Sequence, residues 1–115
     1  MNIYTRRYLK LMKYAKSQNR NKSDGEYYEL HHIKPRSLYP DVINEEWNQV
    51  LLTAREHYIA HWMLCKMYIG KDEVSRSKMA TAFNMMTRSN KTQERIWSSH
   101  HYEVARKYFS KHTDS

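Results

Sequence analysis

A chain of 115 residues is long enough for one domain and too short for two independent cores. No apolar run approaches the ~18 residues that span a bilayer, and the first residues form a charged amphipathic stretch rather than an apolar signal core, so we expect a cytoplasmic protein. The formal net charge of +8 lies in the flanks: residues 1–37 carry nine Lys/Arg against three Asp/Glu, residues 71–115 nine against five, and residues 38–70 only two against four. Basic flanks are typical of phosphate binding, although a merely soluble basic protein or one attracted to anionic membranes would share them.

The first predicted element is an amphipathic helix over residues 4–17. Its apolar positions recur with helical spacing and are Tyr4, Tyr8, Leu11, Met12 and Ala15. Its opposite face is cationic and carries Arg6, Lys10 and Lys13. A polar stretch follows over residues 18–25, and the short, aromatic-rich segment 26–31 predicts a strand.

Residues 32–48 predict an irregular loop, because two prolines interrupt it and its apolar residues show no period. Residues 49–53 predict a second strand. Thr53 and Glu56 have the spacing of a capping box, in which each side chain accepts a hydrogen bond from the backbone of the other, so a helix should begin there. We expect this helix to stop at Gly70, a glycine well placed just outside the C-terminal end of the helix.

Two more helices are predicted, one over residues 74–88 and one after Ser98-Ser99, a favourable pair for an N-cap. The last helix is expected to face inward with Tyr102, Ala105 and Phe109. The order of elements indicates a single α+β domain, mostly helical, over residues 1–115. Its expected parts are a basic helix and loop (1–25), a strand–loop–strand–helix core (26–70) and a helical extension (71–115).

Three features of the central segment carry candidate chemistry. His31 and His32 end the first strand, where adjacent side chains point to opposite sides, so one can bind a metal while the other addresses a water. His57 and His61 are four residues apart on a predicted helix, which places both imidazoles on one face where they can share an ion. Asn48 lies where the loop enters the second strand.

Each feature alone also has an ordinary explanation. A histidine pair at this helical spacing is more often a packing accident than a metal site, and a lone loop asparagine is usually a turn residue. The pair His100-His101 in the same chain illustrates how readily doubled histidines arise. The conjunction favours a site, because strand, loop, strand and capped helix supply a scaffold that brings the pieces together.

The segments Tyr28–Pro35, Asn48–Thr53 and His57–His61 fix residue types, order and spacing together. They resemble the HNH endonuclease motif of the ββα-metal (His-Me finger) superfamily, over about residues 26–69. The resemblance implies two short antiparallel strands, a long loop and a helix, flanked here by an N-terminal helix and two C-terminal helices. The chain lacks the cysteine pairs that some relatives use for a structural zinc, and it carries Leu38–Asp41 where a glycine pair is frequent.

Carried over residue by residue, the resemblance implies that His31, His57 and His61 bind a metal ion. His32 would be the general base that activates water, and Asn48 would tether the loop and orient that base. One more position matches the family: Glu29, two residues before the ligand His31, would support the metal-binding histidine from the side away from the ion.

Contacts with DNA phosphates are expected from basic residues near the motif and on the flanking helices, with solvated helix faces as the alternative. These residues are Lys34, Arg36, Arg55, Arg6, Lys10, Lys13, Arg106 and Lys107. Phosphate contacts by the flanking helices would make binding strongly salt-dependent.

The expected function is therefore hydrolysis of phosphodiester bonds in duplex DNA by a small phage or homing-type endonuclease. The expected cofactor is one divalent metal ion, Mg, Mn, Ni or Zn, which would neutralise charge that develops on the phosphate. No small-molecule cofactor and no membrane partner are expected, and the chain should be a monomer or weak dimer. Two alternatives stay open: a non-catalytic, zinc-stabilised module that binds DNA, and a ribonuclease or nuclease toxin with the same chemistry.

Overall fold

A computed structural model describes residues 2–87, 99, 100, 102, 103 and 107. These residues form an α+β structure that is mostly helical, as predicted. The helices are α1 (Ile3–Ser17), α2 (Ala54–Met67) and α3 (Glu73–Thr87), and the strands are β1 (Glu29–His32) and β2 (Gln49–Leu52). None of the helices within the described residues has both the length and the apolar character needed to cross a bilayer.

The helix expected after Ser98-Ser99 falls mostly on positions outside the described residues. The described residues of that stretch have helical backbone and are Ser99, His100, Tyr102, Glu103 and Lys107. The ring of Tyr102 is buried, as its predicted inward position requires.

Helix α1 begins at a capped end and packs one face against the centre of the fold. The side chain of Asn2 accepts a hydrogen bond of 2.8 Å from the backbone N–H of Thr5, which satisfies one free donor of the first turn. The buried face consists of Tyr8, Met12 and Ala15, in agreement with the predicted period. This face joins Val50, Leu52 and the apolar side of α2 in the main hydrophobic cluster.

The two strands pair antiparallel, with His31 opposite Val50 and Glu29 opposite Leu52. Strand β1 is shorter than the predicted 26–31 and ends one residue later. The reason lies in its partner, because β2 has only four residues between a 3-10 turn that ends at Asn48 and the cap of the next helix at Thr53.

The predicted capping box opens α2. Thr53 Oγ1 accepts from the backbone N–H of Glu56 at 3.1 Å, and Glu56 Oε1 accepts from the backbone N–H of Thr53 at 2.9 Å. The Arg20 guanidinium donates to both oxygens of the same carboxylate, at 2.6 and 3.1 Å. The helix ends at Met67, earlier than predicted, and Gly70 takes a positive φ of 85° in the turn that leads to α3.

Candidate metal centre

The hairpin and α2 bring three histidine rings to one point. Strand β1 supplies His31, while the first half of α2 supplies His57 and, one turn later, His61. Their ring centroids are 5.2 Å (His31–His57), 5.1 Å (His31–His61) and 4.9 Å (His57–His61) apart. One nitrogen from each ring lies within 4.8 Å of the other two, a spacing that would allow a shared ion.

The orientation of the His31 ring is set by α1. Nε2 of His31 lies 2.8 Å from the hydroxyl of Tyr8, and the same hydroxyl donates to the Ile33 carbonyl at 2.6 Å. Both side chains are buried. Because this contact occupies Nε2, Nδ1 is the His31 nitrogen left for an ion shared with the other two rings.

The His57 ring is held by Glu29, the carboxylate that the sequence resemblance places behind a metal-binding histidine. Nδ1 of His57 lies 2.7 Å from Glu29 Oε1, which leaves Nε2 for a metal. The Tyr27 hydroxyl donates to the other carboxylate oxygen, and the Tyr102 hydroxyl donates to Oε1 at 3.1 Å. A carboxylate hydrogen-bonded to the outer nitrogen of an imidazole is the usual support of a histidine metal ligand.

The third ring provides a test of whether a cation fits. Nδ1 of His61 is buried and has no hydrogen-bond partner among the described residues. A buried nitrogen without a partner is costly, and a metal ion bound by its lone pair would satisfy it. The residues present therefore fit a divalent ion, and a donor set of three imidazoles favours transition metals over magnesium.

The protonation state of the cluster also suits metal binding. Burial lowers the pKa of His31 well below its ordinary value, and the His61, His57 and His32 rings add to this effect. Burial likewise lowers the pKa of His61 to about 3, with His57 acting in the same direction and Glu29 opposing. Both rings are thus neutral near pH 7, the form whose lone pair binds a metal.

A cleft opens beside the cluster, with a cavity volume of about 420 Å³. Its polar wall is formed by the three clustered histidines together with His32 and Arg36, and Leu64 and Met79 form part of its apolar wall. His32, which is half-buried, therefore faces the same space as the candidate ligands. A small anionic group in this cleft would meet a cation site, a free imidazole and a guanidinium.

Asn48 holds the loop that follows His32. It is fully buried, and its Oδ1 accepts from the backbone N–H of Lys34 at 2.7 Å while its Nδ2 donates to the Lys34 carbonyl at 3.3 Å. Its own backbone carbonyl accepts from Ile33 at 2.8 Å. These contacts are of the kind expected for a tether, and its catalytic role stays a prediction.

The basic residues expected to contact phosphates are distributed over the surface. Arg36 lines the cleft, whereas the ammonium of Lys34 lies 5.2 Å from the Tyr39 ring centroid and 5.9 Å from that of Trp47. Arg55 donates to the Ser99 hydroxyl at 3.2 Å. The remaining basic residues of this set that the structure describes are exposed: Arg6, Lys10, Lys13 and Lys107. Arg106 lies outside the described residues, and DNA contact by all eight stays a prediction.

Three tyrosines around the cluster were missed by the sequence reasoning. The sequence places Tyr8 on the apolar face of the first helix and Tyr102 on that of the last, and both are buried. A buried tyrosine usually finds a partner for its hydroxyl, so the residue type signals a polar contact without naming its partner. Tyr27 falls in the predicted strand but lies just before β1, where it reaches Glu29.

The chain is similar to three proteins of Enterobacteria phage T4. It is 31% identical over 126 residues to probable mobile endonuclease D (90% of this chain, 48% of that protein), 39% identical over 86 residues to probable mobile endonuclease E (75% and 52%), and 35% identical over 106 residues to probable mobile endonuclease C (91% and 45%). The chain thus spans about half the length of the curated relatives it matches. No protein-family model matches the chain. No solved structure matches it either.

Proposed function

We propose that this chain is a metal-dependent DNA endonuclease of the HNH type, built on a ββα-metal finger. The observation that carries the proposal is the convergence of His31, His57 and His61 at one edge of a cleft that His32 also lines. The similarity to phage T4 proteins named probable mobile endonucleases supports the same function.

The three clustered histidines would hold one divalent ion, with Glu29 orienting His57 on the side away from it. When bound, this ion supplies a positive charge that stabilises the phosphate and the leaving oxygen in the transition state. A transition metal such as zinc, nickel or manganese suits three imidazoles better than magnesium does.

The other residues of the cleft have separate roles in this proposal. His32, which is not among the clustered ligands, takes a proton from the attacking water. Asn48 holds the backbone that follows His32, so that the ring keeps its place in the cleft. Arg36, also in the cleft wall, contacts the phosphate of the substrate.

Cleavage of supercoiled plasmid with Mn²⁺ tests the proposal. The wild-type chain should convert the plasmid to nicked or linear form, and EDTA should abolish the reaction. His32→Ala should lower the rate about 10²- to 10⁴-fold, the usual contribution of a general base, while metal binding is retained. The matched control is His100→Ala, which removes an exposed histidine outside the cluster and should cleave like the wild type.

Two outcomes would contradict the proposal in different ways. Wild-type rates in His32→Ala would show that another group takes the proton. Metal binding and DNA binding without any cleavage would favour a zinc-stabilised binding module instead. Labelled RNA and DNA of the same sequence, offered in parallel, separate a deoxyribonuclease from a ribonuclease.

A further inference from the structure

The hydroxyl of Tyr8 lies between two groups that flank His32 in the chain. It is 2.8 Å from Nε2 of His31 and 2.6 Å from the carbonyl oxygen of Ile33. Tyr8 is only 2% exposed and His31 likewise 2%, so water has little access to either group. The bond therefore links α1, which lies outside the strand–loop–strand–helix segment, to the metal-binding edge of β1.

Counting protons fixes the direction of each bond. The Ile33 carbonyl can only accept, so the single proton of the Tyr8 hydroxyl is donated to it. The Tyr8 oxygen must then accept from Nε2 of His31, which carries the ring proton. A neutral His31 with its proton on Nε2 has its lone pair on Nδ1, which is then the nitrogen able to bind an ion shared with His57 and His61.

We propose that Tyr8 is a positioning residue of the metal centre, which fixes the Nε2–H tautomer of His31 and holds the Ile33 carbonyl, so that both neighbours of His32 are anchored to α1. The part that concerns metal binding rests on the proposed function. The geometry favours this role over simple packing, because a phenylalanine would fill the same core position without making either bond.

The surroundings of Tyr8 keep its hydroxyl available as this donor and acceptor. Burial raises the pKa of Tyr8 far above its ordinary value, and the nearby Tyr68 adds to the effect. The phenol is therefore protonated near pH 7, as both hydrogen bonds require. His57 has the corresponding arrangement with Glu29, so two of the three clustered rings are each held by a side chain at the outer nitrogen.

The tautomer is measured directly in the metal-free protein by long-range ¹H–¹⁵N correlation spectroscopy of ¹⁵N-labelled histidines. In the wild type, we expect the His31 signals of a ring protonated at Nε2. In Tyr8→Phe, we expect the Nδ1–H tautomer or a mixture of both. A ring protonated at Nδ1 in the wild type would overturn the proposal without any variant, so the test holds even if Tyr8→Phe folds poorly.

Metal affinity is the second measurement, by competition of Zn²⁺ between the protein and a chromogenic chelator. Tyr8→Phe should bind Zn²⁺ about 10- to 100-fold more weakly than the wild type, the usual effect of removing a group that holds a metal ligand. The control is Tyr14→Phe, which removes a hydroxyl from the same helix at a ring that is 52% exposed, and it should bind like the wild type.

The two measurements separate this proposal from the proposed function. A wild-type tautomer and wild-type affinity in Tyr8→Phe would overturn the role of Tyr8 even if the protein cleaves DNA. A wild type that binds no divalent ion would overturn the proposed function, whereas the tautomer of His31 in the wild type and in Tyr8→Phe would still decide whether Tyr8 fixes the ring.

Discussion

Single hydrogen bonds at ring nitrogens decide what the candidate centre can bind. Two of its rings have a partner on the outer nitrogen, Tyr8 for His31 and Glu29 for His57. The sequence predicts a supporting role for Glu29, because this residue lies two residues before His31 on the same strand and matches a family position. It does not predict the contact of Tyr8, since the partner of a buried hydroxyl depends on how α1 packs against β1.

Replacing Glu29 tests the support of His57. Glu29→Gln keeps the shape of the side chain and an oxygen that can accept from Nδ1 of His57, but it removes the negative charge from that bond. We expect Zn²⁺ affinity to fall about 10- to 100-fold while the fold is retained. Chelator competition measures the affinity, and circular dichroism checks the fold.

A carboxylate away from the centre provides the control for that experiment. Glu45 is exposed and lies outside the histidine cluster, so Glu45→Gln should leave Zn²⁺ affinity unchanged. Equal affinities in Glu29→Gln and the wild type would argue against His57 as a ligand whose orientation depends on this carboxylate.

Among the elements, α2 has the largest share in the centre because it carries two of the three clustered histidines. Its beginning was predictable from local chemistry, as Thr53 and Glu56 form the capping box that their spacing indicates. The end of α2 was not predictable in the same way, because Gly70, the glycine with a positive φ, lies two residues beyond the cap residue Tyr68 rather than next to it. The bounds of β1 were also missed, since they depend on the length of the paired strand.

The cap of α2 makes a prediction about stability. Thr53→Ala removes the oxygen that accepts from the backbone of Glu56 and should lower the free energy of unfolding by about 1 kcal/mol. Urea denaturation of the metal-free protein measures this, because bound metal would add its own stabilisation. Thr53→Ser restores the accepting oxygen and should recover most of the loss; an equal loss in both variants would mean that the cap contributes little.

The whole molecule should respond to acid through its buried histidines. The pKa values of His31 and His61 lie below their ordinary value of 6.5 in the folded chain, with that of His61 at about 3. At these two rings, the unfolded chain therefore binds more protons than the folded chain below about pH 6.5. The contribution of these two rings to the free energy of unfolding is complete above that pH. It is lost as the pH falls towards the pKa values that the rings have in the folded chain.

Urea denaturation of the metal-free protein at a series of pH values checks this. The free energy of unfolding should fall steadily as the pH is lowered below about 6.5, and it should fall less steeply in His61→Gln, which lacks one of the two groups. An unfolding free energy that stays constant across this range would mean that the two rings are not buried in their neutral form.

The hydrogen bond from Tyr102 to Glu29 joins residues 73 positions apart in the chain. During synthesis, Glu29 and all three clustered histidines leave the ribosome well before Tyr102 does. One donor to the supporting carboxylate is therefore still missing when the strands and the histidines of α2 have already been synthesised. This contact cannot form until residue 102 has been synthesised, and a product truncated ahead of that residue would retain the histidines without it.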